Sequence, residues 1–223
     1  MPAISLSAHG IRIQYAHRLI LSVDELFIAG GSSVVLQGPS GSGKTSLLRM
    51  FAGENWDHSG IVEYQNTIFG TLTTEDKKFL ELQKTLIGMT LAEPIFFEYL
   101  SARENIFFPH IFGNRPYDPI WHEELITFFR CEWILSEKIS ALSSGERERI
   151  DLIRTLLYEP RVLFLDEPGA HLDDLFAREV VEFLQKYQEK NSATLVIVSH
   201  SDMFSSLADA RYRCESGILK PIL

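Results

Sequence analysis

The segment Gly38-Pro39-Ser40-Gly41-Ser42-Gly43-Lys44-Thr45 satisfies the pattern G-x-x-x-x-G-K-[ST] at every position. The pattern constrains the fold because it needs a strand before it and a helix after it. Ser33-Val34-Val35-Leu36 supplies a β-branched apolar run of strand type, and Ser46-Leu47-Leu48-Arg49-Met50-Phe51 supplies the first turns of a helix. Glycine backbones curl their N–H groups around phosphate oxygens where a Cβ would block the dihedrals. The helix N-terminus adds unpaired N–H groups and about half a positive charge. On this reading Gly38, Pro39, Ser40, Gly41, Ser42, Gly43, Lys44, Thr45 and Ser46 cradle a nucleoside triphosphate. Lys44 reaches the β- and γ-phosphates, and the Thr45 hydroxyl binds Mg²⁺. A chance glycine-rich turn is the competing explanation, and the strand and helix around the loop count against it.

The rest of the composition narrows the class. A chain of 223 residues suits one large domain, or one domain with an inserted lobe. Thirty acidic against 21 basic residues give a net charge of −9, which argues against a nucleic-acid partner and its usual basic face. Cys131 and Cys214 follow no metal spacing and read as reduced thiols of a cytosolic chain. The N-terminus shows no charged n-region followed by an apolar run. The greasiest stretch, 94–112, is broken by Glu98, Arg103 and Glu104, so no membrane span is expected.

Along the chain, Ile11–Tyr15 and Leu19–Val23 alternate apolar and polar residues and predict antiparallel strands covering one edge of the core. Tyr15 lies about two dozen residues before the phosphate loop. It is either a core aromatic or a platform for an adenine ring, and position alone does not choose. A turn-rich loop is expected over Gly53–Gly60, a strand at Ile61–Tyr64, and a helix over Glu75–Leu86 with Phe79, Leu82 and Leu86 on one face. From about 98 to 150 the pattern is helical and amphipathic, including Trp121–Phe129 and Arg147–Leu157. Arg161–Asp166 and Thr194–His200 then read as buried strands. Such alternation implies an α/β fold with a mostly parallel sheet, whose ligand sits at the C-terminal ends of the strands.

Two of those strand ends carry chemistry. Successive side chains alternate, so Asp166 and Glu167 are expected to point in different directions. Asp166 then suits the Mg²⁺ shell, and Glu167 suits the γ-phosphate side, where it polarises an attacking water. Two solvated acids capping a strand are the alternative. His200 ends the neighbouring strand, as a structural residue or a γ-phosphate contact. Leu142-Ser143-Ser144-Gly145-Glu146 reads by itself as a helix N-cap, with an anion site as a weaker possibility.

In this order the motifs resemble those of the ATP-binding cassette (ABC) ATPases over nearly the whole chain. Gly38–Thr45 matches the Walker A loop and Val162–Asp166 the Walker B strand. Leu142–Glu146 is similar to the LSGGQ signature, Ala170-His171-Leu172-Asp173 to the D-loop, His200 to the switch histidine and Tyr15 to the adenine-stacking aromatic. The resemblance implies a P-loop NTPase with a RecA-like core (about 1–92 and 155–223), N-terminal antiparallel strands and an inserted helical lobe (about 93–154). It implies ATP and Mg²⁺ as ligands, with Thr45 and Asp166 on the metal and Lys44, Glu167 and His200 acting in hydrolysis. It also implies that two cassettes, this chain and a second copy or a sister subunit, close head to tail, so that Ser143, Ser144, Gly145 and Glu146 cap in trans the ATP held by the other cassette, with Asp173 in the D-loop between them.

Departures from the family pattern include Ala92, Glu146 and Gly169. Alignment of Ile87–Leu91 and Arg103–Ile106 puts Ala92 where the family has a metal-binding glutamine. Alanine coordinates nothing, which leaves three readings: recruitment of Glu93, slower hydrolysis, or a site that binds ATP mainly to dimerise. Because Glu167 and His200 remain, slowed but real turnover is the expectation. Glu146 replaces the last glutamine of the signature and brings an acid near phosphate, unless it caps its own helix. Gly169 replaces a threonine, and nothing in the sequence explains the change.

By the same resemblance, closure drives a separate integral membrane subunit from the cytoplasmic face. The apolar run Ile95-Phe96-Phe97, Ile106-Phe107-Phe108-Pro109 and Ile111-Phe112 lies in the lobe region that meets such a partner, although most of it is expected to fill the lobe's own core. Glu104–Pro109 and the compact length are similar to the lipoprotein-release, macrolide-efflux and cell-division branch. The alternatives are a nucleotide-gated scaffold with little hydrolysis, or a soluble non-transport ABC ATPase.

Overall fold

A computed structural model describes residues 3–53, 58–65, 67–69, 77–113 and 117–222. Parts of the loop expected over Gly53–Gly60 and the helix start expected at Glu75 lie outside the described residues. Among the described residues ten strands form one sheet: β1 Leu6–Tyr15, β2 Arg18–Ile28, β3 Ser33–Gln37, β4 His58–Tyr64, β5 Thr67–Phe69, β6 Ile87–Thr90, β7 Val162–Asp166, β8 Thr194–Val198, β9 Ala210–Glu215 and β10 Ile218–Ile222. The α-helices described with them are α1 Lys44–Phe51, α2 Lys77–Leu86, α3 Ala102–Gly113, α4 Pro119–Phe128, α5 Ser144–Leu156 and α6 Asp174–Asn191.

Across the sheet the order is β5-β4-β1-β2-β10-β9-β3-β8-β7-β6. Strands β9, β3, β8, β7 and β6 are parallel neighbours and make up the core expected from the alternation of strand and helix. Every residue of β7 and β8 is buried. This is the pattern of a parallel sheet covered on both faces. Side-chain alternation sorts the strand residues between two apolar layers. Val35, Leu163, Leu165, Leu195 and Ile197 pack with α5, α6 and the helical region. Val34, Leu36, Val162, Phe164, Val196 and Val198 pack with α1 and the antiparallel strands.

The N-terminal strands differ from expectation. They do not merely cover an edge; they are hydrogen-bonded into the same sheet. The link is the C-terminal hairpin β9–β10, in which Ile218 pairs with Ser22, and the Ser22 N–H donates to the Gly217 carbonyl at 2.8 Å. That hairpin has short, half-exposed strands carrying Arg211, Arg213 and Lys220, and its weak apolar signal hid it in the sequence.

The helices between β6 and β7 are fastened to the core side. Trp121 Nε1 donates to the Leu156 carbonyl at 3.0 Å, while its ring stacks on Phe183 of α6, with centroids 6.0 Å apart. Phe128 stacks on the same ring at 4.4 Å. Asn105, fully buried in α3, accepts from the Phe97 N–H at 2.9 Å and donates to the carbonyls of Phe97 and Ser101 at 3.1 and 3.0 Å. It thereby fixes the segment that leaves β6. Ile106 of the apolar run fills the core, as expected for most of it, whereas Ile95 and Tyr99 stand 73% and 72% exposed.

Candidate active site

Four adjacent strands, β3, β8, β7 and β6, end at one place. The loop after β3 carries the glycine-rich motif, β7 delivers Asp166 and Glu167, and β8 leads to His200. The bend after β6 brings Ala92. Together with Tyr15 and Ile20 from the first hairpin and Val198 from β8, these line a cavity of about 590 Å³, a size suited to a small-molecule ligand.

The loop is built for anions by its backbone. Gly43 stands at the N-cap of α1 with φ of 100°, no side chain caps the helix, and its first turn holds no acid. The amides that α1 leaves unpaired at its N-terminus therefore have no side-chain partner. Gly38 is required by packing: its φ is +142°, and a Cβ there would fall 2.1 Å from the Cys214 carbonyl oxygen on β9. The Cys214 thiol in turn contacts the Ser42 carbonyl at 2.7 Å, and burial pushes its pKa up. Ser40, Gly41, Ser42, Gly43, Lys44, Thr45 and Ser46 line the cavity. Gly38 and Pro39 do not; their carbonyls accept from Lys44 Nζ, each at 2.9 Å. Desolvation lowers the Lys44 pKa, while Glu167, Cys214 and Asp166 pull it back up.

The two acids both line the cavity, although alternation along a strand predicts opposite directions. The reason is backbone geometry. β7 ends at Asp166, and Glu167 adopts a left-handed conformation with φ of 52°, which turns its side chain back toward the site. The Glu167 N–H donates to the Val198 carbonyl at 2.9 Å. Its Oε2 accepts from the His200 N–H at 3.1 Å, and its Oε1 lies 3.3 Å from His200 Nε2. Asp166 is 3% exposed, and burial raises its pKa against the opposing pull of the Thr45 hydroxyl, Arg49, Lys44 and the Ala92 N–H.

Ser42 Oγ, Asp166 Oδ1 and Glu167 Oε1 are shielded from solvent and lack a hydrogen-bond partner among the described residues. Buried polar atoms are normally satisfied, so three unsatisfied oxygens on one cavity mark a place for a polar ligand. A carboxylate oxygen beside a threonine hydroxyl is a hard-oxygen donor set that fits Mg²⁺. Ala92 brings no side-chain donor, though its backbone N–H helps to hold down the raised pKa of Asp166. Glu93 is exposed and does not line the cavity, so the recruitment considered for it has no support in this geometry.

Ser143, Ser144, Gly145 and Glu146 are not in the cavity. They form the N-terminus of α5 within a capping box. The Ser143 hydroxyl accepts from the Glu146 N–H at 3.3 Å, and Glu146 Oε2 accepts from the Ser143 N–H at 2.8 Å and its hydroxyl at 2.7 Å. The acid that replaces glutamine thus caps its own helix. Asp173 is likewise a helix cap, accepting from the Phe176 N–H at 3.0 Å. Gly169 now has an explanation: φ is +93°, and a Cβ would press on Ala177 at 3.3 Å.

Sequence reasoning missed Ile20, Val198 and Glu148. The first two are ordinary apolar strand residues whose place in the cavity depends on register. Glu148 carried no signal in a helix rich in charge, yet its buried carboxylate accepts from the backbone N–H groups of Gly169 and His171.

Comparison with known proteins agrees with this geometry. A family model described as ABC transporter matches residues 22–170. ModC, a molybdenum import ATP-binding protein of Pseudomonas syringae pv. tomato, is 31% identical over 208 residues, covering 93% of this chain and 57% of its own. LolD, a lipoprotein-releasing system ATP-binding protein of Ehrlichia ruminantium, is 30% identical over 197 residues, covering 87% of this chain and 86% of its own. TupC, a tungstate uptake system ATP-binding protein of Peptoclostridium acidaminophilum, is 30% identical over 217 residues, with 96% of each chain covered. The chain thus spans about half the length of the ModC relatives and nearly all of TupC. The ATP-binding cassette MJ0796, solved as a dimer in a post-hydrolysis state with ADP and Pi, shares the fold with a TM-score of 0.85 at 22% identity. It covers 98% of this chain and 99% of its own. With the family model spanning the phosphate loop, the signature helix and the acidic strand end in one match, this chain belongs to the ABC transporter family.

Proposed function

We propose that this chain is the ATP-binding and hydrolysing subunit of an ABC transporter, and that ATP-dependent closure of two cassettes drives a separate membrane subunit. The observation that carries the reading is the set of unsatisfied oxygens of Ser42, Asp166 and Glu167 around the phosphate loop. ATP lies with its adenine toward Tyr15 and Ile20 and its phosphates on the loop. Lys44 exchanges the Gly38 and Pro39 carbonyls for phosphate oxygens, and Thr45 and Asp166 hold Mg²⁺. When bound, that ion neutralises phosphate charge. Glu167 orients and deprotonates the attacking water, and His200, beside it, contacts the γ-phosphate.

Dimer closure is supported by what the cavity lacks. The signature residues sit outside it, and the exposed N-terminus of α5 becomes a phosphate cap only when a second copy supplies it. In closing, a helical lobe of about 93–154 moves against a core of about 1–92 and 155–223. Exposed Ile95 and Tyr99 support a contact with the membrane partner, and in this reading the cassette works from the cytoplasmic face of a membrane. No helix among the described residues is long and apolar enough to cross a membrane. Relatives at 30–31% identity are named for molybdenum, tungstate and lipoprotein systems alike, so the reading stops at transport without a cargo.

Steady-state ATP hydrolysis, with Glu167→Gln as the control, tests the reading. Turnover above the control supports it. Activity at the control's level favours the second reading, an ATP-gated dimerising scaffold, for which the non-coordinating Ala92 is the specific observation. Co-purification from detergent with a membrane subunit distinguishes transport from a soluble role.

A further inference from the structure

The loop between Glu167 and Asp173 is held in an unfavourable conformation. Glu167 has φ of 52° and Gly169 has φ of 93°. A left-handed non-glycine residue persists only where its surroundings over-determine it. The restraints come from two sides. Within the loop and sheet, the Glu167 N–H donates to Val198 and the Ala170 N–H to the Glu167 carbonyl, at 2.9 and 3.1 Å. From α5, Glu148 reaches across: its Oε1 accepts from the Gly169 N–H and its Oε2 from the His171 N–H at 2.8 Å, with His171 Nδ1 at 3.5 Å. One turn earlier on α5, Gly145 lies so close that a Cβ there would meet the His171 carbonyl oxygen at 2.8 Å.

Glu148 therefore joins two pieces of the site that lie 21 and 23 residues apart in the chain. Its carboxylate is 7% exposed and has an acceptor oxygen for each of two backbone donors. Loss of those acceptors leaves two N–H groups unsatisfied and frees the loop from the helix that carries Ser143–Glu146. We propose that Glu148 is a positioning residue for hydrolysis. It fixes the Gly169–His171 backbone to the signature helix, and so holds Glu167 in the left-handed conformation that faces the γ-phosphate. This rests on the ATPase reading above.

The test compares wild type, Glu148→Ala and Glu148→Gln in the full chain by steady-state hydrolysis, binding of a fluorescent ATP analogue and amide hydrogen exchange. Glu148→Ala should lower kcat at least tenfold with nucleotide affinity within twofold, since the phosphate loop is untouched. Glu148→Gln, which keeps one acceptor, should fall between the two. Amide exchange across Gly169–His171 should speed at least tenfold in Glu148→Ala. Parallel losses of kcat and affinity, or a kcat within twofold of wild type, overturn the proposal. Should wild type itself hydrolyse nothing, the ATPase reading fails; the exchange measurement still decides whether Glu148 holds the loop. Should Glu148→Ala not fold, the near-isosteric Gln variant carries the test: unchanged kcat and exchange overturn it.

Discussion

Asp166→Asn separates what Asp166 does for the fold from what it does for chemistry. The wild-type carboxylate is 3% exposed, its pKa is raised chiefly by burial, and its Oδ1 has no partner among the described residues. The nearby Thr45 hydroxyl, Arg49, Lys44 and the Ala92 N–H oppose that rise. Asparagine is isosteric and keeps a carbonyl oxygen toward the Ala92 amide and an NH₂ toward the Thr45 hydroxyl, so the exchange preserves polar groups on both sides while removing a poorly compensated buried charge. Relief of that desolvation is expected to stabilise the ligand-free chain by about 1–2 kcal/mol. At about 2–4 °C per kcal/mol for a chain of this size, Tm rises by about 2–8 °C. The sign with pH follows from the raised pKa. The native state binds the proton more tightly than the unfolded chain, so this carboxyl costs stability as pH rises above the ordinary carboxylate range. The two proteins should therefore converge in Tm as pH falls through that range. With Mg²⁺ and ATP the order reverses: wild type gains stability, and Asp166→Asn gains less and loses hydrolysis. Differential scanning fluorimetry across pH, with and without Mg²⁺·ATP, reads all of this. A ligand-free Tm for Asp166→Asn at or below that of wild type at neutral pH refutes the reasoning.

Three further outcomes are expected. Lys44→Ala should abolish nucleotide binding by calorimetry, because the loop then lacks its cation; undiminished affinity would count against the site as a whole. Arg154→Ala should destabilise the fold by about 3–5 kcal/mol in denaturant titration, since it leaves Asp151, whose side chain is 3% exposed, buried without its ion pair. Glu146→Gln keeps the capping box, because glutamine serves as well at that position, and removes the acid next to phosphate. In a Glu167→Gln background it should lower the ATP concentration needed for dimerisation by sedimentation, and no change would show that Glu146 does not face the phosphate on closure.

The clash at Gly38 and the clamp at Glu148 show how the same site is specified at two ranges. Gly38 meets β9, the last strand but one, so the phosphate loop is shaped partly by residues near the C-terminus. Arg147 adds a second tie from α5, pairing with Glu98 at 3.0 Å, while Arg154 donates to the Ile95 carbonyl at 2.8 Å and lies over the Phe96 ring at 4.6 Å. The segment after Ala92 is thus held by the signature helix. Among the described residues α5 thereby ties the loop after β7 to the exposed apolar segment after β6.

The sequence by itself determined the phosphate loop, the acidic strand end and the α/β alternation. These are local in origin: glycine dihedrals, apolar runs and helix starts act over a few residues, so they are readable in order. The cap role of Glu146 was also open to reading, because a capping box spans only four positions. Tertiary structure alone decided that Glu167 turns back into the cavity beside Asp166, that Ala92 and not Glu93 lines it, and that the N-terminal strands join the core sheet through β10. It alone placed Glu148 under the loop 21 residues after it. Each of these depends on which distant backbone groups meet, and no local pattern of residues encodes a partner that the chain reaches only by folding.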